Sequence, residues 1–394
     1  VILGGVQMLI FTEGQRHMVA DGGVHHVQNG FLDVLAVQNL AALLISLAAA
    51  LIIGALILLL SGYDPLKAYA AMLSGAFSNG RHIGDTLEYA MVLCLCGLAC
   101  DIGSRVGIFN VGGEGQLLFG AIFSAQIGVW MTGLPPVVVI PVAALGAALV
   151  GGFYAWIPGV LKVKLKVNEV ITTIMLNTIA ASICQFLAKG PWKNPNNNIV
   201  AGPANLPNRF WLGKLVQGSN LSTAIFAAVI MTVLTWYIMQ KTSVGYEMKL
   251  TGHNPRFALF AGLKTDKIVI VTMVVSGMMC GLVGMFRVYG ATHIYTASIS
   301  NDYYFEGLMV AMIAQYQALP TVVISFLFAV LKIGAQGMET AAGVPNQIYL
   351  IIQTVVIFCM AAEKGIRASL AARGERRRAR AAAKERLKEA NEDE

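Results

Sequence analysis

Asn110, Glu114 and Gln116 stand together in Asn110-Val-Gly-Gly-Glu-Gly-Gln116, flanked by Val106-Gly-Ile-Phe109 and by an apolar run from Leu117 to Trp130. One carboxyl and two amides can do hydrogen-bonding and electrostatic work. In hydrocarbon each costs several kcal/mol unless it faces protein or water. Asn110 and Glu114 are four residues apart, so a helix would place them on one face. Gly112, Gly113, Gly115 and Gly120 suit tight packing or a broken, re-entrant backbone. Two readings stand side by side: a polar stretch along a solute's route, or a buried network holding helices together.

Glu169, Thr173 and Asn177 recur every four residues in Val167-Asn-Glu-Val-Ile-Thr-Thr-Ile-Met-Leu-Asn177. They draw a polar stripe along an otherwise apolar helix, which must face a partner helix or a cavity. Amides and hydroxyls there could satisfy the hydroxyls of a sugar or nucleoside without trapping it. Glu169 adjoins Lys162, Lys164 and Lys166 and reads as an anchor at the membrane face. Asn177, deeper, either lines a path or is structural. A third group lies between Gly245 and Gly262. Asn254 suits a helix N-cap, Pro255 the first helical position and Gly262 a C-terminal stop. Phe257, Ala258 and Ala261 continue an apolar surface. A short amphipathic helix held between two spans fits a protein groove better than a bed of lipid headgroups.

The elements that must position these groups are membrane helices. Of 394 residues, 56% are hydrophobic and 12% charged, with a mean hydropathy of +0.66; a soluble domain carries about 25% charged residues. Ten apolar runs are visible: Gln38 to Leu60, Leu87 to Ile102, Phe109 to Trp130, Pro136 to Leu161, Val170 to Leu187, Leu221 to Met239, Ile268 to Val288, Phe305 to Ala318, Thr321 to Met338 and Ile348 to Met360. A span needs about 20 residues, and three runs are short, so the expectation is an all-α polytopic protein of eight to ten spans. Gly277, Gly281 and Gly284 predict close helix approach. Cys94, Cys96 and Cys100 read as small packing residues on a span rather than metal ligands. The Lys162 to Lys166 cluster, the basic residues from Lys241 to Lys267 and the C-terminal tail fall on one side by the parity of spans. By the positive-inside rule that side, with both termini, is the cytoplasm.

Outside the expected permeation domain (37–362, with its cytoplasmic loop at 241–267) lie two extensions. Residues 1–36 lack the order of a signal peptide and read as cytoplasmic or interfacial. Residues 363–394 hold ten Lys or Arg against seven Asp or Glu. Next to a last span, this basic tail marks a cytoplasmic end rather than a nucleic-acid site. The sequence contains no phosphate loop of the G-x4-G-K-[ST] form and no catalytic triad or carboxylate pair on a soluble scaffold. Neither an ATP site of that kind nor an enzyme is expected.

Three segments together resemble the permease subunits of bacterial ABC importers, in the branch serving ribose-type sugars, branched-chain amino acids and nucleosides. Asn110 to Gln116 resembles that branch's Asn-(Ile/Val)-Gly-x-Glu-Gly-Gln motif. Val167 to Asn177 resembles its valine-asparagine-glutamate segment. Gly252-His-Asn-Pro-Arg-Phe-Ala258 with Ala261-Gly262 resembles its coupling loop. The likeness runs from about Leu87 to Met360 and is nearest the nucleoside subgroup. It implies a multi-pass protein of the bacterial plasma membrane that moves a nucleoside, or alternatively a simple sugar, by alternating access. It implies partner ATPases, which bind the ATP and Mg, docked on a loop that includes Gly245, Gly252, Asn254, Pro255, Ala258, Ala261 and Gly262. It also implies a second permease, identical or not, and an extracytoplasmic solute-binding lipoprotein. This chain itself would hold no cofactor. Two rivals remain: an ion-coupled secondary transporter using Glu114, Asp101 or Glu306, and a scaffold acting through its tail.

Overall fold

A computed structural model describes residues 47–195, 202–345 and 347–359. The expected N-terminal extension, the basic tail and the sidedness of both termini lie outside them. The chain divides into two compact units. In Val1–Ile57 with Ile351–Glu394, the described residues are helical, within α1 (Leu47–Leu60) and α13 (Gln347–Cys359), which continue across the boundary. The second unit, Leu58–Leu350, holds α2 (Pro65–Phe77), α3 (Gly80–Arg105), α4 (Gly113–Trp130), α5 (Pro136–Leu165), α6 (Glu169–Lys189), α7 (Ala224–Lys241), α8 (Ser243–His253), α9 (Pro255–Phe260), α10 (Thr265–Arg287), α11 (Tyr303–Ile313) and α12 (Ala318–Ala342).

Each of the ten apolar runs contains a helix. Among the described residues, six helices are long and apolar enough to cross a membrane: α3, α5, α6, α7, α10 with its π-helical extension to Thr292, and α12. Local chemistry starts many of them. Asp64 accepts hydrogen bonds from the N–H groups of Leu66 and Lys67 at the head of α2. Asn79 caps α3 through His82, and Asn168 caps α6 through Val170 and Ile171. Satisfying these orphan donors is what the N-cap position rewards.

The structure corrects the sequence reading in four places. The Ser61 to Pro65 break leads into α2, a helix missed because only Ala68, Ala71, Met72, Gly75 and Ala76 are buried along it. Asn79 starts α3 earlier than Leu87, so Glu88 is helical and buried. The run from Phe109 becomes helical only at Gly113, so Asn110 is not helical and shares no helix face with Glu114. The stretch from Gly245 to the cap at Asn254 is not a loop but most of α8.

Glycines set the closest crossings. A methyl at Gly281 of α10 would overlap the Ala147 carbonyl of α5, and one at Gly120 of α4 would overlap the Gly281 carbonyl. Gly277 meets Gly151 of α5 in the same way, and Gly284 meets Leu117 of α4. Small residues let backbones touch, as the Gly277, Gly281 and Gly284 spacing predicts. Cys94, Cys96, Cys100, Cys184 and Cys280 are buried thiols in this packing.

One end of α3 meets residues 202–223, a connector: Gly84 packs on Ser219, and the Asn220 N–H donates to Asp85 at 2.8 Å. The opposite end meets α8, where Gly252 packs on the Arg105 backbone. Between these ends lies the start of α11. Gly307 packs on Cys96 and Gly97, and the rings of Tyr303 and Tyr89 are 5.3 Å apart. The first residue of α11 therefore faces the middle of α3. Its 11 residues span about 16 Å at about 1.5 Å per residue, half a bilayer core.

Candidate functional site

The backbone of Asn110 to Gly112 turns into α4, and Asn110 closes that turn. Its Oδ1 accepts from the Gly112 N–H at 3.1 Å and from the Gln116 amide at 3.1 Å. Its Nδ2 donates to Gln116 Oε1 at 3.0 Å and to Ser276 Oγ of α10 at 2.9 Å. Ser276 in turn donates to the Ala99 carbonyl of α3 at 2.7 Å. The Tyr304 hydroxyl of α11 donates to the Asn110 carbonyl and lies 3.2 Å from Cys100 Sγ. Glu114 accepts from the Tyr304 N–H at 3.3 Å. Asn110 is 2% exposed, Gln116 1% and Glu114 8%.

From α6, Asn177 clips onto this turn. Its Oδ1 accepts from the Gly115 N–H and its Nδ2 donates to the Val111 carbonyl, both at 2.9 Å. Thr173 is fully buried, its hydroxyl turned back to the Glu169 carbonyl at 2.7 Å, with its Cβ against Gly112. Five of the six expected polar-path residues thus meet at one node joining α3, α4, α6, α10 and α11. Glu169 stays apart, bonded to Lys162 Nζ at 2.6 Å. The node saturates amide groups, and Asn110 uses both its donor and its acceptor.

Sequence reasoning missed two ion pairs whose carboxylates are buried. Arg287 of α10 pairs with Glu88 of α3, its guanidinium 4.8 Å above the Tyr303 ring. Lys332 of α12 lies 3.0 Å from Glu306 of α11, which also accepts from the Tyr89 hydroxyl at 2.7 Å. Arg287 and Lys332 sit inside apolar runs, where a charge must find a partner, so they were the available signal. Asp101 accepts from Thr321 at 2.9 Å.

On the far side of Arg105, α8 and α9 form a helical pair. Gly245 is buried where a Cβ would crowd the Ile238 and Met239 carbonyls, and a Cβ at the half-buried Gly252 would overlap the Arg105 carbonyl. Asn254 Oδ1 accepts from the Phe257 N–H at 3.0 Å, with Pro255 at the first position of α9, as its cap chemistry predicts. Ala261 follows the helix, its N–H donating to the Phe257 carbonyl at 2.9 Å, and Gly262 ends it at φ +83. Ala258 is fully buried and pins α9, while Phe257, Leu259 and Phe260 are 56%, 62% and 88% exposed. Beside α8 a cavity of about 510 Å³ is lined by Arg105, Lys249, His253 and Gln315 among others.

A family model described as "Branched-chain amino acid transport system / permease component" matches residues 82–361. The chain is 32% identical over 338 residues to the guanosine ABC transporter permease protein NupP of Bacillus subtilis, covering 85% of this chain and 96% of that one. It is 32% identical over 326 residues to the nucleoside ABC transporter permease protein NupB of Lactococcus lactis, covering 81% and 89%. A glucose ABC transporter permease protein of Haloferax volcanii is 30% identical over 325 residues, covering 79% and 84%. No solved structure matches at a significant level. With its crossing helices, buried node and exposed helical pair, this chain belongs to that permease-component family and is a multi-pass membrane subunit of an ABC transporter.

Proposed function

We propose that this chain is the permease subunit of an ATP-driven importer that carries nucleosides across the bacterial plasma membrane. Partner ATPases dock on α8 and α9 at the cytoplasmic face, a second permease completes the path, and a solute-binding lipoprotein delivers from outside. ATP and Mg belong to the ATPases. The observation that carries the coupling is α9 itself. A six-residue helix that buries Ala258 and exposes Phe257, Leu259 and Phe260 has the shape of a knob awaiting a groove. It is held to the bundle by backbone contact at Gly252. Force on the knob therefore reaches α3 through packed backbone, and rigid tilting of helices opens the path alternately to each side.

The similarity to guanosine and nucleoside permeases over most of the chain favours a nucleoside. The glucose permease at 30% identity keeps a simple sugar as the second reading. Against ion coupling stands the occupation of Glu306 by Lys332 and Tyr89. Two experiments test the assignment. Mass spectrometry of proteins co-purifying in mild detergent should return an ATPase with a phosphate loop and a lipoprotein. Replacing Gly252 to Gly262 with a neutral linker should abolish ATP-dependent uptake, and uptake that survives refutes the coupling.

A further inference from the structure

Residues 293–302 run from the connector end of α10 into the middle of the bundle. His293 stacks on Trp211 of the connector, ring centroids 3.7 Å apart and 7° from parallel. Tyr295 and Ile299, 1% and 3% exposed, anchor the descent, and Tyr303 then opens α11 opposite the centre of α3. Between and after those anchors the chain turns polar groups outward: Ser298, Asn301 and Asp302 are exposed. Asn301 and Asp302 both hold left-handed backbone, φ +37 and +58. Among the described residues no cation pairs with Asp302. A carboxylate exposed at mid-depth to acyl chains would cost about 3 kcal/mol or more, so this face turns away from lipid. The Ser300 hydroxyl and the Asp302 backbone lie against Glu114, which places a second carboxylate just behind the first.

We propose that residues 296–302 line the solute path and that Asp302 is its selectivity group, accepting hydrogen bonds from the hydroxyls of a neutral ribose while repelling phosphorylated forms. The proposal rests on the nucleoside reading above. An ionised carboxylate only accepts, and with no cation beside it a vicinal diol supplies donors without adding charge. A phosphate would bring its charge close to Asp302, and like charges at short range are costly. The Asn110 node is already saturated, so the path passes in front of it, along the segment that leads into α11.

The test uses membranes holding the whole importer, with Cys359→Ser removing the one described cysteine that is not buried. Ser298→Cys and Asn301→Cys should react with a membrane-impermeant maleimide, Ile179→Cys on the lipid side of α6 should not, and guanosine should protect the first two. Asp302→Asn should raise the half-saturating guanosine concentration about tenfold, the loss of one hydrogen bond to a charged group, and should let guanosine 5′-monophosphate compete. Asp302→Glu, which keeps the charge, should still exclude the monophosphate. Absent labelling at 298 and 301, or labelling that guanosine does not slow in a protein that transports guanosine, overturns the path. Equal monophosphate exclusion by Asp302→Asn and the parent overturns the selectivity role. If the parent carries a sugar and no nucleoside, the substrate reading fails, and the labelling pattern still decides whether 296–302 borders the path.

Discussion

At the start of α4, polar side chains face inward and find partners; on α9, apolar side chains face outward and find none. Both segments break the pattern of their surroundings, and the breaks have opposite meanings. Asn110, Gln116, Ser276 and Asn177 bond one another and the backbone of neighbouring helices, which fixes distances between five helices. Phe257, Leu259 and Phe260 leave their area uncovered, which leaves a distance to be set by another molecule. A polar residue in an apolar run can thus mark a joint, and an apolar residue on a polar surface a contact.

The sharpest way to break this comparison is Asn110→Leu. It strands the Gln116 amide and the Gly112 N–H in a buried site, at about 1–3 kcal/mol for each group left without a partner, and leaves Ser276 with its bond to Ala99 alone. We expect a large fall in melting temperature in detergent and poor accumulation in the membrane. An unshifted melt would show that the node is no joint. Phe257→Ser with Phe260→Ser should do the reverse. Thermal melting should move by less than about 0.5 kcal/mol, as for other surface changes. ATP-dependent uptake should fall about tenfold or more, as when an interface anchor is removed.

Asn177→Ala should cost about 1–2 kcal/mol, because two backbone groups lose partners at a site that water partly reaches; chemical denaturation would read it. Glu169→Gln should cost under about 1 kcal/mol, since the Lys162 side chain is 37% exposed. A last prediction concerns pH. Burial, with Lys214 nearby, pulls His293 down to about 4. Its folded value lies below the ordinary one, so protonation favours unfolding. The contribution is complete above about pH 6.5, the ordinary histidine value, and drains as pH falls toward the folded value. His293→Gln should flatten that acid limb in a Trp-fluorescence melt.

The helices were legible because apolar runs in a membrane chain have little else to become. The ends of α9 were legible because Asn254, Pro255 and Gly262 act through bonds to near neighbours. The node was half legible. The residue types at Asn110 and Glu114 were informative, but their spacing misled, since α4 begins between them. The sequence offered Asn177 either as path lining or as structure, and it bonds the Val111 carbonyl and the Gly115 N–H where the turn enters α4. α2 escaped because its buried face is narrow and meets α12 through Gly75 and Gly337, a contact no local pattern announces. The Arg287–Glu88 pair joins positions 199 residues apart. One sequence says that Arg287 must have a partner and not which one.

The half-length of α11 bears on how the protein is made. About 16 Å of helix is too short to be threaded into the bilayer as an independent span. The turn after it is tight, with the Tyr316 N–H bonded to the Ala311 carbonyl at 2.9 Å, so α11 is tied to α12 from the moment both have been synthesised. The 25 residues of α12 are long enough to be recognised by the insertion machinery, and α11 is carried in behind them as one arm of a hairpin. A chain halted before α12 emerges would leave Glu306 without Lys332 and the centre of α3 uncovered. The last quarter of the polypeptide therefore completes a bundle whose first three quarters are already in the membrane.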